Sequence, residues 1–180
     1  MNNGIIFVAG VYGVGKSTLC NKLKDHLKIP AFSAGDLISE INGELYGKNK
    51  VVSDKNANQN ILIHVVKNKL LQNPTIILAG HFCIFNAINE VVLLPEYVFK
   101  EMPLSKIILL EAETNRIIEN IQNRDNKAYS KESFNELIEK ERKQAIKISF
   151  DLNIPLTIHN MKFDKTDIDE LIIDIRGSDT

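Results

Sequence analysis

The sequence predicts an α/β protein built on a parallel sheet, and three observations carry that prediction. Short apolar runs alternate with helical segments along the whole chain. Three of the five prolines, Pro30, Pro74 and Pro155, each stand where a helical segment ends and a short apolar run begins. Proline cannot donate to a ladder but is tolerated at the first residue of a strand. The first run, Ile5-Ile6-Phe7-Val8-Ala9, is apolar at every position and is followed at once by a glycine-rich loop and a helical pattern. Uninterrupted apolar strands belong to parallel sheets covered on both faces, with right-handed crossovers.

Taken in order, the expected strands are Ile5–Ala9, Ala31–Ser33, Thr75–Ala79, Lys106–Leu110 and Leu156–His159. The first helix carries Leu19, Leu23 and Leu27 at helical spacing. Further helices are expected over 36–46, about 57–72, and 114–124, where Ile117, Ile118 and Ile121 share a face. The longest, about 131–151, starts at a Ser130 N-cap and repeats Phe134, Leu137, Ile138, Ala145 and Ile148. Its Glu136/Lys140 and Glu139/Lys143 pairs suit a solvated face. The last, about 167–176, has Asp167 near its start and Gly177 after its end. Neither repeats nor low-complexity linkers interrupt the pattern, so one domain over 1–180 is expected.

Between the first strand and helix lies Gly10-Val11-Tyr12-Gly13-Val14-Gly15-Lys16-Ser17-Thr18, which fits the P-loop spacing of Gly, four residues, Gly, Lys, Ser or Thr. Chance gives this match in under roughly one chain in a hundred of this length. Backbone N–H groups converge on phosphate oxygens only if the loop winds tightly, which Gly13 and Gly15 permit. Lys16 brings a mobile charge for the β- and γ-phosphates, and the Ser17 hydroxyl is placed to ligate Mg²⁺. A helix starting near Gly15 aims its positive end at the same anion. The cofactors expected are ATP and Mg²⁺.

Bulk properties exclude several classes. With 44% hydrophobic and 25% charged residues the chain has a globular composition. A net charge of −1 gives no case for a nucleic-acid or membrane surface. Two cysteines, Cys20 and Cys83, suit a reducing compartment, and Met1-Asn2-Asn3-Gly4 lacks the charged start of a signal peptide. With no apolar run long enough to span a bilayer, the expected location is cytoplasmic. The expected partner is a small-molecule acceptor; the oligomeric state is not legible.

Ligands of open parallel sheets sit beyond the carboxyl ends of the strands. Here those positions hold the P-loop, Gly35-Asp36, Gly80-His81, Glu111 and Asn160. Together with Ser33-Ala34-Gly35-Asp36-Leu37, Gly80-His81-Phe82, Leu110-Glu111-Ala112, Arg116, Arg124-Asp125 and Ile158-His159-Asn160, they make the chain resemble the nucleoside monophosphate kinases, most of all the archaeal-type adenylate kinases. The resemblance implies a P-loop kinase fold with five parallel strands in the order 2-3-1-4-5. It further implies an acceptor region over about 33–90, and a lid over about 124–131 flanked by arginines.

Within that frame Lys16, Arg124, Asp36 and His81 are the candidate catalytic residues. Gly10 to Thr18, Arg116 and Asn160 are candidates on the ATP side, and Ser33, Gly35, Asp36, Gln59, His81 and Arg142 on the acceptor side. Only four arginines stand against 18 lysines, and three of them fall at 116, 124 and 142. An arginine fork matches phosphate oxygens, although amphipathic helices also carry arginines on their surfaces. Asp36 has two readings, a cap on its own helix or a partner for Mg²⁺ or the acceptor hydroxyl. Tyr12 either covers the phosphates or faces solvent. Two features depart from the adenylate kinase pattern. Ser39 stands where many members carry an arginine, and Ala79 ends the third strand without the acid that commonly holds the Mg²⁺ shell. Asp36 and Glu111 are the possible substitutes. The leading functional expectation is an ATP-dependent phosphotransferase acting on a nucleotide or nucleoside-like acceptor. The alternatives are a P-loop ATPase or regulatory protein acting through a partner, and a nucleotide-binding module without catalysis.

Overall fold

The computed structural model describes residues 3–42, 55–125 and 130–177, without the side chains of 41–42, 55–57 and 124–125. Residues 126–129 of the expected lid over 124–131 therefore fall outside the described residues, as does the 43–46 end of the helix expected over 36–46. In chain order the elements are β1 (Gly4–Ala9), α1 (Lys16–Leu27), β2 (Ala31–Ser33), α2 (Ala34–Asn42), α3 (Lys55–Gln72), β3 (Thr75–Ala79), β4 (Cys83–Phe85), β5 (Val91–Leu93), α4 (Glu96–Glu101), β6 (Leu104–Glu111), α5 (Thr114–Asp125), α6 (Lys131–Leu152), β7 (Leu156–Asn160) and α7 (Thr166–Gly177).

The main sheet has five parallel strands in the order β2-β3-β1-β6-β7. This differs from the expected 2-3-1-4-5 only in numbering, because a separate antiparallel pair, β4–β5, intervenes in the chain. Neither that pair nor α4 is foreseen by the sequence reading. The prolines open strands for a definite reason: each lends its carbonyl to the ladder while lacking a donor. Pro30 O accepts from Ile77 N at 2.8 Å, Pro74 O from Gly4 N at 2.9 Å and Pro155 O from Ile107 N at 2.9 Å. Pro103 O does the same for Ile5 N at 2.9 Å, so β6 begins at Leu104, before the expected Lys106.

Strand alternation divides the core between two faces. Ile6, Val8, Ile77, Ala79, Ile108 and Leu110 pack with Leu19 and Leu23 of α1, Ile117 and Ile121 of α5 and Leu171 and Ile175 of α7. Ile5, Phe7, Ile76, Leu78, Ile107 and Leu109 pack with Leu62 and Val66 of α3 and Val98 and Phe99 of α4. Each fully buried aliphatic side chain contributes about 1.5–3 kcal/mol by leaving water. The long helix α6 belongs to both faces. Its first half gives Phe134 and Leu137 to one cluster, and its second half gives Ala145 and Ile148 to the other. Between them sits Glu141, where the helix crosses the carboxyl ends of the strands. The Ser130 cap holds, its Oγ accepting from Ser133 N at 3.1 Å. At the other end of the chain, Gly177 is the last residue of α7 rather than the one beyond it.

Candidate active site

The P-loop takes the shape its glycines permit. Gly13 and Gly15 have φ of 80° and 99°, in the left-handed region. A Cβ on Gly13 would stand 2.6 Å from Ile121 Cγ1 and 2.9 Å from Ile117 O, so any side chain would push α5 away. Asn120 of α5 fixes the same turn, its Nδ2 donating to Gly13 O at 2.9 Å. Lys16 folds back over the loop, and Nζ donates to Gly10 O at 2.6 Å and Val11 O at 2.9 Å. At the start of α1, Gly15 supplies no side-chain cap, and the first turn holds no acidic residue. An uncapped N-terminus under a lysine is suited to an anion, so these residues fit the phosphates of ATP.

A cleft of about 720 Å³ opens beside this loop. One wall is Gly13, Gly15, Lys16, Ser17 and Thr18. Ser33 at the end of β2, Gly35 and Asp36 in the first turn of α2, His81 after β3, and Gln59 of α3 contribute to the others. Ser17 and Asp36, both solvent-exposed oxygen donors on the same cleft, fit a hard cation. The cap on α2 comes from Ser33, whose Oγ accepts from Asp36 N at 3.3 Å, which leaves the Asp36 carboxylate to the cleft. Tyr12 does not simply face solvent: its ring lies 4.4 Å from that of His81 and stacks at 6.3 Å with Phe85. Gln59 is only 6% exposed.

Glu141, which the sequence reading does not single out, is the structural hinge-pin beneath the loop. Though 1% exposed, it accepts three backbone bonds, from Gly10 N at 3.0 Å, Phe82 N at 2.9 Å and Cys83 N at 2.8 Å. These are the N–H group just past β1 and the two where β4 begins. Burial pushes its carboxyl above the usual value, against the pull of Phe82 N–H, the Lys16 charge and the Cys83 donors. Opposite, the loop after β7 is held by Asp167, 2% exposed, which accepts from Lys162 N at 2.9 Å and Asp164 N at 3.2 Å and lies 2.8 Å from His159 Nε2. This loop brings Met161, Phe163 and Asp164 to the cleft. His159 thus has a structural role.

The remaining expected residues lie elsewhere. Gly10, Val11 and Val14 are buried behind the loop. Arg116 pairs with Glu119 at 3.6 Å and lies 5.4 Å over the Phe163 ring, at the rim. Arg142 turns to Glu111, Nε to Oε1 3.5 Å, and does not line the cleft. Glu111 is therefore engaged away from the cleft and is not placed to replace an acid at Ala79. Asn160 is exposed at the end of β7, opposite Glu111, and also misses the cleft. Arg124 is in the last turn of α5, and its side chain lies outside the described residues.

A buried parallel strand, a glycine loop and a helix, with a cleft across the carboxyl ends of β1, β2 and β3, define a P-loop kinase fold. The family model described as "AAA domain" matches residues 9–138, well over half of the chain, and the chain belongs to that family. No curated protein matches the sequence. Among the solved structures that share the fold over nearly their whole lengths are three named kinases. A gluconokinase from Sinorhizobium meliloti 1021 is 11% identical, with 99% of each chain covered and a TM-score of 0.54. Shikimate kinase from Aquifex aeolicus vf5 is 16% identical, with 97% of each chain covered and a TM-score of 0.59. Shikimate kinase from Acinetobacter baumannii, in complex with shikimate, is 13% identical, covers 98% of this chain and 95% of its own, and has a TM-score of 0.59. At such identities the likeness concerns the fold alone. No helix among the described residues is long and apolar enough to cross a membrane.

Proposed function

We propose that the chain is an ATP-dependent phosphotransferase that moves the γ-phosphoryl group to a small-molecule acceptor, nucleotide or nucleoside-like as in the adenylate kinases it resembles. One observation carries the reading. The phosphate loop and the residues after β2 and β3 open into a single cleft, so donor and acceptor can meet. The solved neighbours named as kinases of small molecules support it. Lys16 and the N-terminus of α1 hold the triphosphate, and Ser17 and Asp36 would hold Mg²⁺. When bound, that ion offsets charge on the transferred phosphoryl group. Where Ser17 holds the ion without it, Asp36 would instead receive the proton of an acceptor hydroxyl, and His81 would orient the acceptor. Arg124, beside the lid, would supply further positive charge.

The second reading, an ATPase or regulatory protein acting through a partner, is favoured by Ala79. That residue ends β3 without an acid, and its own exposure is 6%. The two readings separate in one experiment. Incubation with Mg-ATP and a panel of monophosphates, nucleosides and polyhydroxy acids should give acceptor-dependent ADP well above the Lys16→Ala background. Turnover that no acceptor raises would favour the ATPase.

A further inference from the structure

We infer, resting on the phosphotransferase reading, that Gln59 selects the acceptor: the part that does not react is a base-like ring that donates an N–H to the Gln59 amide. Gln59 occupies a core position. With Leu62, Ile63 and Val66 it falls at the i, i+3, i+4, i+7 spacing of one face of α3, and those three are buried. An apolar residue at 59 would complete that stripe. Gln59 is instead 6% exposed, lines the cleft, and holds an Oε1 that is buried and bonded to no described residue. A buried amide oxygen without a donor is costly to retain. A donor on a molecule seated in the cleft removes that cost.

The neighbours of Gln59 indicate what kind of molecule carries the donor. Phe7, Leu62, Val98 and Phe99 line the cleft and belong to the core cluster on one face of the sheet, whereas α1 packs on the other. The Phe7 and Phe99 rings meet edge to face with centroids 5.7 Å apart, and Phe82 stands 5.1 Å from Phe7. A ring laid against this group gains both burial and aromatic contact. A polyhydroxy acid has donors enough for Gln59, but its other hydroxyls would lose water against Leu62, Val98 and Phe99. A ring with an amino or ring N–H on one edge meets both demands at once. The reacting group, whether hydroxyl or phosphate, belongs at the other end, where Lys16 and Lys22 line the cleft.

The test is calorimetric binding to the chain loaded with a non-hydrolysable ATP analogue. The probes are nucleosides and 5′-monophosphates of the common bases, with polyhydroxy acids for comparison. Each base-bearing probe is paired with an analogue lacking the base N–H, made by replacing the amino group with hydrogen or by methylating the ring nitrogen. At least one base-bearing probe should bind about tenfold or more tightly than any polyhydroxy acid, and loss of its N–H should weaken binding about tenfold. In Gln59→Met, which keeps the length but lacks the amide, the same loss should change nothing. The melting temperature of that variant should hold or rise, because an unpaired buried oxygen is gone. No base-bearing probe binding, a polyhydroxy acid binding as tightly, or an N–H whose loss costs as much in Gln59→Met as in the parent would each overturn the inference. Acceptor-dependent ADP with polyhydroxy acids alone would overturn it and leave the phosphotransferase reading standing. Base-bearing probes that couple to Gln59 but never raise ADP production would overturn that reading and leave the Gln59 pocket standing.

Discussion

The residue whose loss should be felt most widely is Glu141, although it touches no part of the cleft lining. In Glu141→Ala, the N–H groups of Gly10, Phe82 and Cys83 lose their acceptor, while α6 keeps its backbone. A buried N–H left unpaired costs about 1–3 kcal/mol, and relief from holding a buried carboxylate offsets part of the sum. A net loss of roughly 3–5 kcal/mol is expected, out of a total stability of about 5–15 kcal/mol. For a chain of this size about 2–4 °C is lost per kcal/mol, so the melting temperature should fall by about 6–20 °C. Glu141→Gln does not restore the site, because its amide NH₂ would face either Gly10 N–H or the Phe82 and Cys83 pair, donor against donor. The assay is thermal unfolding by circular dichroism, with calorimetric ATP binding measured well below the transition. Both variants should also bind ATP more weakly, since Gly10 opens the P-loop. If Glu141→Ala melts within about 2 °C of the parent and binds ATP equally well, the carboxylate does not brace the loop and the reasoning is wrong.

Three further outcomes follow from the same geometry. Lys16→Ala should lower phosphoryl transfer about 100-fold or more with little change in melting temperature, because its Nζ bonds the Gly10 and Val11 carbonyls of a loop that Glu141 and Asn120 already brace; steady-state ADP release checks this. Burial alone would raise the Asp167 carboxyl, but the Lys162 N–H, His159 and the Phe163 N–H hold it below its ordinary 3.8. Its stabilisation is therefore present above that value and lost as pH falls through the lower folded one, so the melting-temperature gap between the parent and Asp167→Asn should be widest near neutrality and shrink below about pH 4. Burial pushes the Cys20 thiol up to about 12, against the Lys16 charge, and burial with the Glu141 charge raises Cys83 too. Iodoacetamide at pH 8 should thus modify both about a thousandfold more slowly in the native chain than in denaturant, and rapid native labelling would contradict their burial.

What could be read from the sequence was whatever is encoded locally. The P-loop is nine consecutive residues, and the proline-opened strands declare their own starts, so the sheet and the ATP side were legible. The β4–β5 pair is not legible in the sequence because each strand has three residues, too few for a period to show, although Asn86 and Asn89 mark its turn. In that turn Asn86 Oδ1 accepts from Ile88 N and Glu90 N, and Asn89 takes a φ of 61°. Glu141 is illegible in the sequence for a different reason. It lies among Glu139, Lys140, Arg142 and Lys143, and on a helix that reads as solvated, one acid looks like the others. Only the packing of Phe134 and Leu137 on one face of the sheet and Ala145 and Ile148 on the other turns position 141 inward. Arg142, one residue on, is turned outward by the same geometry and meets Glu111.

The donors at the sheet's carboxyl edge are shared out by a simple rule. A parallel strand ends with N–H groups that its neighbour cannot always take, and each must find an acceptor. Past β3 the next N–H, that of Gly80, goes to Val8 O at 3.0 Å, and past β7 that of Met161 goes to Glu111 O at 2.8 Å, while Gly10 N past β1 and the Phe82 and Cys83 donors where β4 begins go to Glu141. At the start of α1 the N-cap residue, Gly15, has no side chain to offer such a partner. A chain that spends a buried carboxylate on the bend just before the phosphate loop, and leaves the helix end just after it uncapped, has separated the donors that hold the loop in place from those that face the cleft. The uncapped set is the part of the edge fitted to a phosphate, and substitutions in the other set should weaken ATP binding only by moving it.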